Sequence, residues 1–503
     1  GELNNWSWQK AIDPVKLLPV IDRRARLVQK EFAQTLLNHR NPYTGKTYGE
    51  DAQVLYLELL NESSLEYALI CNNTFPDYFE RELQAAWTLF AQKAGLENPR
   101  NFRQAKDKDT LRIRAQFFRS FEDDYFRDMR AFLRGLGSQV PVTCVNLWRG
   151  NDVLAANAEI GDVIEDHLYV DSLVVREAGD WLDMMARTRV DGKPHIIGEF
   201  NHTENQDLAR RDAYARPMLM LSAAAYGAFL GLDGFVWFAY NHGDRNLASD
   251  GWSKAEQRVP SLGDMASDGV MLDHLATCSA LFRSGLLKPS IHPQQREITV
   301  PVNASNYNEL MADAQIPPVG ALSVHAYSKH FSRGAAASAA PAVADVFASE
   351  GEFVSDTGEI VRDIQKKQLS VSAAGAEAFS GFLSAGFPTR FSHLQCMETN
   401  GFATIISVSL DGKPLSESGR IILSRTWMDE AGIDKPGLGL VMKDLRKSAS
   451  GGWRMLVRRP RLAGAVLRDL AGLDVVPLKQ GTDGTVTLPR GTWTQVELIW
   501  SEK

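Results

Sequence analysis

Residues 54–62 read VLYLELLNE, an apolar run that stops abruptly at Asn61-Glu62. Residues 194–201 read PHIIGEFN, a second apolar run that presents Glu199 directly after a glycine. Each run is short enough for a strand, bounded by turn-forming residues, and ends in polar side chains. Between and after them come PVTCVNLW (141–148), DVIEDHLYV (162–170) and DGFVWFAYN (233–241), which have the same character. Helix-period segments separate the strands: 14–38 ahead of the first, then 77–95, 109–136 and 207–230. Strands alternating with helices imply parallel βα units. In such folds the side chains at the strand C-termini gather at one mouth, where the chemistry sits.

The texture changes beyond a helix expected near 270–286. Short alternating runs follow, punctuated by Gly, Pro, Asp and Ser: REITVPV (296–302), ALSVHAYS (321–328), ATIISVSL (403–410), GRIILSRT (419–426), GGWRMLVRR (451–459), VTLPRG (486–491) and TQVELIW (494–500). This pattern predicts an antiparallel β-sandwich. The expected division is 1–288 for the βα domain and 289–503 for the sandwich, which is expected to brace the βα domain, with glycan binding as the alternative. The Ala/Ser-rich stretch 335–347 reads as a loop.

The chain has 503 residues, more than one hydrophobic core accommodates. Its net charge of −7 is spread along the whole length, whereas phosphate binding needs a concentrated basic face; nucleic acid is not expected as a partner. The basic run 454–461 (RMLVRRPR) reads as the surface of a strand. No uninterrupted apolar stretch reaches about 18 residues, so no membrane span is expected. Four widely separated cysteines and ten histidines form no CxxC or HExxH spacing, which argues for neither a disulfide scaffold nor a catalytic metal or other cofactor. The opening GELNNWSWQK lacks the layout of a signal peptide; a secreted or periplasmic location is favoured, and the compartment is left open.

Two carboxylates on separate strand ends suggest glycoside hydrolysis. One carboxyl protonates the leaving oxygen, and in a retaining enzyme the other attacks the anomeric carbon from about 5–5.5 Å away. A single strand-end Glu is better explained as a solvated residue or a helix cap. Two on different apolar strands favour Glu62 as general acid/base and Glu199 as nucleophile, with Asn61 beside the acid to hold a sugar hydroxyl. Glu62 is expected to be protonated at rest, its pKa raised by burial and by the charge on Glu199.

VLYLELLNE resembles the acid/base strand of clan A glycoside hydrolases, typified by family 5, and the wider text resembles bacterial cellulase-family proteins. The resemblance is carried in order by 36–51 (LLNHRNPYTGKTYGED), LYLELLNE, 126–143 (FRDMRAFLRGLGSQVPVT), DHLYVD, IIGEFN and 234–244 (GFVWFAYNHGD). It implies a (β/α)8 TIM-type barrel in which VLYLELLNE is strand four and IIGEFN strand seven. Ser63 departs from the residue that usually follows the acid/base in family 5. By the same correspondence, Tyr169 would hydrogen-bond the nucleophile, His167 would line the sugar site, and Trp237 would floor the subsite; Trp148 is a weaker candidate of that kind. A His-x-Tyr at a packed strand edge, or a barrel-packing Trp, would explain these residues without a ligand. Asn201, His202, Asn241 and His242 are at most rim contacts. The acid/base strand begins at residue 54, so the N-terminal strands one to three are expected to be missing, and another chain or segment is expected to complete the barrel. The expected function is retaining hydrolysis of β-glycosidic bonds in a poly- or oligosaccharide. The alternative is a non-catalytic carbohydrate-binding or scaffold protein derived from a glycosidase; transglycosylation with the same residues is a third reading.

Overall fold

The computed structural model describes residues 15–70, 74–146, 150–170, 182, 185, 188–202, 215–240, 265, 269–300, 321–333, 351–428, 453–456, 462–469, 472–475, 478, 480–488 and 495–500. Trp148, Asn241, His242, Cys71, the stretch 335–347 and residues 457–461 of the basic run lie outside them.

The chain enters through helix α1 (Arg23–Asn38), whose N-cap Asp22 accepts from the Arg24 amide. This cap splits the helix expected over 14–38 from a short turn of helix at Leu18–Ile21. Strand β1 (Leu57–Leu60) follows, then α2 (Leu65–Ile70), α3 (Asp77–Lys93) and the long α4 (Lys108–Gly135), capped by Asp107. The buried stripe of α4 (Leu111, Phe118, Tyr125, Phe126, Met129, Leu133) has helical spacing and packs against the other helices and β1. The parallel strands then run β2 (Val142–Val145), β3 (Ile164–Val170), β4 (His195–His202) and β5 (Gly234–Trp237). Helices α5 (Asn151–Ile160) and α6 (Arg216–Leu230) connect them, and α7 (Gly269–Arg283) comes after β5.

β1 pairs with β2, and β4 lies between β3 and β5; every pairing is parallel. The two groups meet where the Val142 carbonyl accepts from the Asp162 amide at 2.7 Å. All five expected strands are present, β1-β2 and β3-β4-β5 each in chain order, with no strand pairing between β2 and β3 among the described residues. A closed barrel is not seen: among the described residues β1 and β5 are each paired on one side only. Leu55 beside β1, and Val236 and Tyr240 on and after β5, stay exposed accordingly. Leu27, Val28, Phe32 and Leu36 of α1 are exposed too.

The antiparallel part is larger than expected. Nine strands form one sheet in the order β17-β16-β19-β14-β13-β11-β10-β9-β8. In chain order these are β8 (Glu352–Val354), β9 (Ile360–Asp363), β10 (Gln368–Ala373), β11 (Ala376–Phe382), β13 (Phe402–Ser409), β14 (Arg420–Met428), β16 (Leu462–Asp469), β17 (Gly472–Val475) and β19 (Gln495–Trp500). The remaining strands β12 (Leu394–Cys396), β15 (Trp453–Leu456) and β18 (Thr485–Thr487) form a small second sheet, with Leu394, Met455 and Val486 meeting Phe379, Ile405 and Leu423 of the large one. Helices α6 and α7 pack against β10, β11, β13 and β14. One apolar core therefore runs from Leu168, Phe200 and Phe229 to Val371, Ile406 and Val408, across the division expected at 288. At this seam the His274 ring bonds Ser424 Oγ at 2.7 Å and Thr426 Oγ1 at 3.0 Å.

Two sandwich assignments need correction. Residues 296–300 of REITVPV fall in β6 (Gln294–Val300), and ALSVHAYS divides into a helical turn (Ala321–Val324) and the start of β7 (Tyr327–Arg333). β6 and β7 pair in parallel with each other, apart from the antiparallel sheet. β7 docks beside the lead-in to β4 through Lys329, whose amide donates to Arg189 O at 2.9 Å and whose Nζ donates to Asn151 Oδ1 at 2.9 Å. Alternation of apolar and polar residues signals a half-buried strand and carries no information on its direction. Among the described residues, no helix is long and apolar enough to cross a membrane.

Candidate active site

β1 delivers Asn61 and Glu62 just past its last residue. Glu62 has φ 47°, in the left-handed region that costs a residue with a Cβ about 1–3 kcal/mol. Asn146, immediately after β2 and fully buried, meets that backbone: its Oδ1 accepts from the Glu62 amide at 2.7 Å. Its Nδ2 donates to Asn61 Oδ1 at 2.9 Å and to Glu58 Oε1 at 2.6 Å.

β3 supplies Glu165, His167 and Tyr169, alternate residues that share one face of the strand. His167 is buried, and its Nδ1 lies 2.7 Å from Glu62 Oε1 and 3.4 Å from Glu199 Oε2. The Tyr169 hydroxyl donates to Glu199 Oε2 at 2.5 Å. Thus the structure brings Glu62, Glu199, Asn61, His167 and Tyr169 into one cluster. One oxygen each from Glu62 and Glu199 and a ring nitrogen of His167 all lie within 4.8 Å of one another.

Gly198 explains how Glu199 reaches this place. The β3–β4 register slips between Asp166 and His167, so that Asp166 pairs with Ile197 and His167 with Glu199. A bulge of this kind re-aims the following side chain. A Cβ at Gly198 would lie 1.8 Å from Glu165 Oε1, so a side chain here must push the Glu165 carboxyl from its place.

Other expected contacts are less distinctive. Trp237 ends β5 half-buried against the core, with its ring edge-on to Phe200 and centroids 4.9 Å apart. The Asn201 amide donates to the Phe238 carbonyl at 2.7 Å and ties β4 to the segment after β5.

The electrostatics reverse one expectation. Glu62 sits below the usual carboxylate range, because the bond from His167 outweighs its partial burial. Burial disfavours charge on His167, yet Glu165, Glu62 and Glu199 together push it up to about 10. At neutral pH the resting site therefore holds Glu62 ionised against an imidazolium, where a protonated Glu62 was expected. Sequence reasoning left out the groups below this pair. Glu58 keeps its outer edge in solvent while its carboxyl turns inward to Asn146; the protein crowded around that carboxyl, and then the Glu165 charge, push it up to about 7. Tyr56 donates to Glu165 Oε1 at 2.9 Å. The signals were present as a Glu inside an apolar strand (Glu58), a Glu two residues before His167 (Glu165), and an Asn closing VTCVN (Asn146).

A comparison with protein-family models and with curated proteins finds no match for this chain. Its chemistry has to be read from the side chains themselves. Among the described residues, two sets have the atoms for a cation, Glu62–His167–Glu199 and Glu58–Glu165–His167. In the second, the Asn146 amide nitrogen already sits 2.6 Å from Glu58 Oε1 and 2.7 Å from His167 Nε2, in the space a metal bonded to both would need. In the first, the Tyr169 hydroxyl and the His167 ring already serve the facing carboxylate oxygens. The arrangement suits proton transfer between Nδ1 and Glu62, and nucleophilic attack by a carboxylate with one oxygen held.

Proposed function

We propose that the chain is a retaining glycoside hydrolase acting on β-linked sugars, with Glu199 as nucleophile and Glu62 as acid/base. One observation carries the reading: two carboxylates at the C-terminal ends of parallel strands β1 and β4, with oxygens within 4.8 Å of each other. Nearest oxygens that close fit the short carboxyl separation of double displacement better than the longer one used for inversion. The five parallel strands are read as strands four to eight of an eight-stranded βα barrel, completed by a segment outside the described residues.

The mechanism starts from the resting charges. His167 passes its Nδ1 proton to Glu62 Oε1 as substrate excludes water from the pair. Glu62 gives that proton to the glycosidic oxygen while the C1–O bond breaks, and Glu199 forms a bond to C1. Tyr169 holds Glu199 Oε2, which leaves the other oxygen to attack. Glu62, ionised again, then takes a proton from water, the water oxygen replaces Glu199 on C1, and the proton returns to His167. Labelling with 2-fluoro β-glycosides tests the reading: a covalent sugar on Glu199 is expected, lost in Glu199→Gln. An unlabelled Glu199, together with unchanged activity in Glu199→Ala, refutes it.

Glu62 below its ordinary range favours a second reading, a carbohydrate-binding protein without turnover. That reading expects saturable oligosaccharide binding in calorimetry and no reducing ends released over days.

A further inference from the structure

Asn146 makes a set of bonds that the proposed mechanism does not use. A backbone N–H can only donate, so the Glu62 amide at 2.7 Å fixes which end of the Asn146 side chain is oxygen. The nitrogen end then faces Glu58 Oε1 at 2.6 Å and Asn61 Oδ1 at 2.9 Å, and its two hydrogens serve both. The same nitrogen lies 2.7 Å from His167 Nε2 without a hydrogen left for it; the carboxylate facing the Nε2 proton of the charged ring is Glu165, its Oε1 3.8 Å away. A fully buried side chain therefore touches the backbone of the acid/base, its sequence neighbour, the carboxylate four residues before it and the imidazole that holds its proton. The backbone it meets is strained, and such a conformation persists only when its surroundings over-determine it.

We propose that Asn146 is a positioning residue for Glu62: its amide clamps the acid/base in the left-handed backbone conformation that aims the carboxylate at His167, and links that aim to Glu58 across the β1–β2 pair. The inference rests on the reading of Glu62 as acid/base. It differs from a merely structural role in what it perturbs. Loss of the clamp should misplace the proton donor and leave the nucleophile, held by Tyr169 on β4, as it was.

The test uses the whole chain with Asn146→Ala and the near-isosteric Asn146→Asp, which keeps an acceptor for the Glu62 amide and loses both donors. Phenyl and 2,4-dinitrophenyl β-glucosides, β-mannosides and β-galactosides are assayed, and the series the wild type turns over is followed. A dinitrophenolate leaves without protonation, whereas phenolate needs the acid, and general acid catalysis is worth about 10²- to 10⁴-fold. The expected result is a kcat on the phenyl glycoside that falls at least tenfold further than on the dinitrophenyl glycoside in both variants. Equal losses on the two substrates, or none, overturn the inference. Carbon-13 NMR of the Glu62 carboxyl provides a readout that needs no turnover: its titration should move up by at least half a pH unit in Asn146→Ala as the bond to His167 slackens. If the wild type cleaves no glycoside, the enzymatic reading fails on its own, and an unmoved Glu62 titration then overturns the clamp as well.

Discussion

The seam between α7 and the large sheet gives a quantitative prediction. His274 is fully buried, and both ring nitrogens bond hydroxyls, Ser424 on one side and Thr426 on the other. No carboxylate is among these partners, and burial pushes the imidazole from an ordinary 6.5 down to about 3. The sign follows from proton counting. Between pH 3 and 6.5 the unfolded chain binds a proton here and the folded chain does not, so acid favours unfolding. The contribution is intact above about pH 6.5 and is lost as pH falls towards 3. Each pH unit in that window is worth about 1.4 kcal/mol. From pH 7 to 4.5 the wild type should thus lose roughly 2.5–3 kcal/mol more than His274→Gln, which offers hydrogen bonds without a titrating ring. Urea unfolding of both proteins at half-unit steps would measure the difference. His195, also buried and held near 3, acts in both proteins and cancels from it. Parallel stability curves for the two proteins would mean that His274 does not stay neutral in the seam, and would refute the reasoning.

Other outcomes are expected. Tyr169→Phe removes the hydroxyl from Glu199 Oε2; a hydrogen bond to a charged group is worth about 1.5–3 kcal/mol, so kcat/KM should fall roughly 10- to 150-fold, and an unchanged value would remove Tyr169 from the site. Glu122 is buried, accepts only the Leu65 amide among its described bonds, and is pushed up to about 8 by burial. The folded chain keeps that proton between pH 4.5 and 8 while the unfolded chain releases it, so stability falls across this window. Glu122→Gln should be the more stable protein at pH 9 by a few kcal/mol and no more stable at pH 4, as thermal melts would show. Gly198→Ala drives a Cβ into Glu165 and should destabilise by about 3 kcal/mol or more, with Glu165→Ala in the same chain restoring much of the loss; failure of that rescue would mean the clash lies elsewhere.

The site was legible where a strand ended. Glu62, His167, Tyr169 and Glu199 each follow or close an apolar run, and parallel strands bring such ends together whatever their separation in sequence. Asn146 and Glu58 were harder to see because their roles are hydrogen bonds to a neighbouring strand, which leave no periodic trace. The ionisation of Glu62 was misjudged because burial was visible as apolar sequence, and the counter-charge on His167 depends on distances alone. In the antiparallel sheet, β13 and β14 were found as ATIISVSL and GRIILSRT, whereas β8 to β11 were not. AEAFSGF (376–382) is buried along nearly its whole length because helices cover one side of the sheet and the small sheet the other, so the residues need not alternate. Its Ser380 is buried against Thr404 at 2.6 Å, a polar pair that reads as surface in a sequence.

Gly198 has a consequence beyond geometry. The hydrogen where a side chain would begin is what lets a buried carboxylate lie under the reactive pair. Position 198 should therefore disfavour every residue with a Cβ, by a restriction originating on the adjacent strand. In a library of variants selected only for folding, with no sugar present, glycine at 198 and glutamate at 165 should rise and fall together.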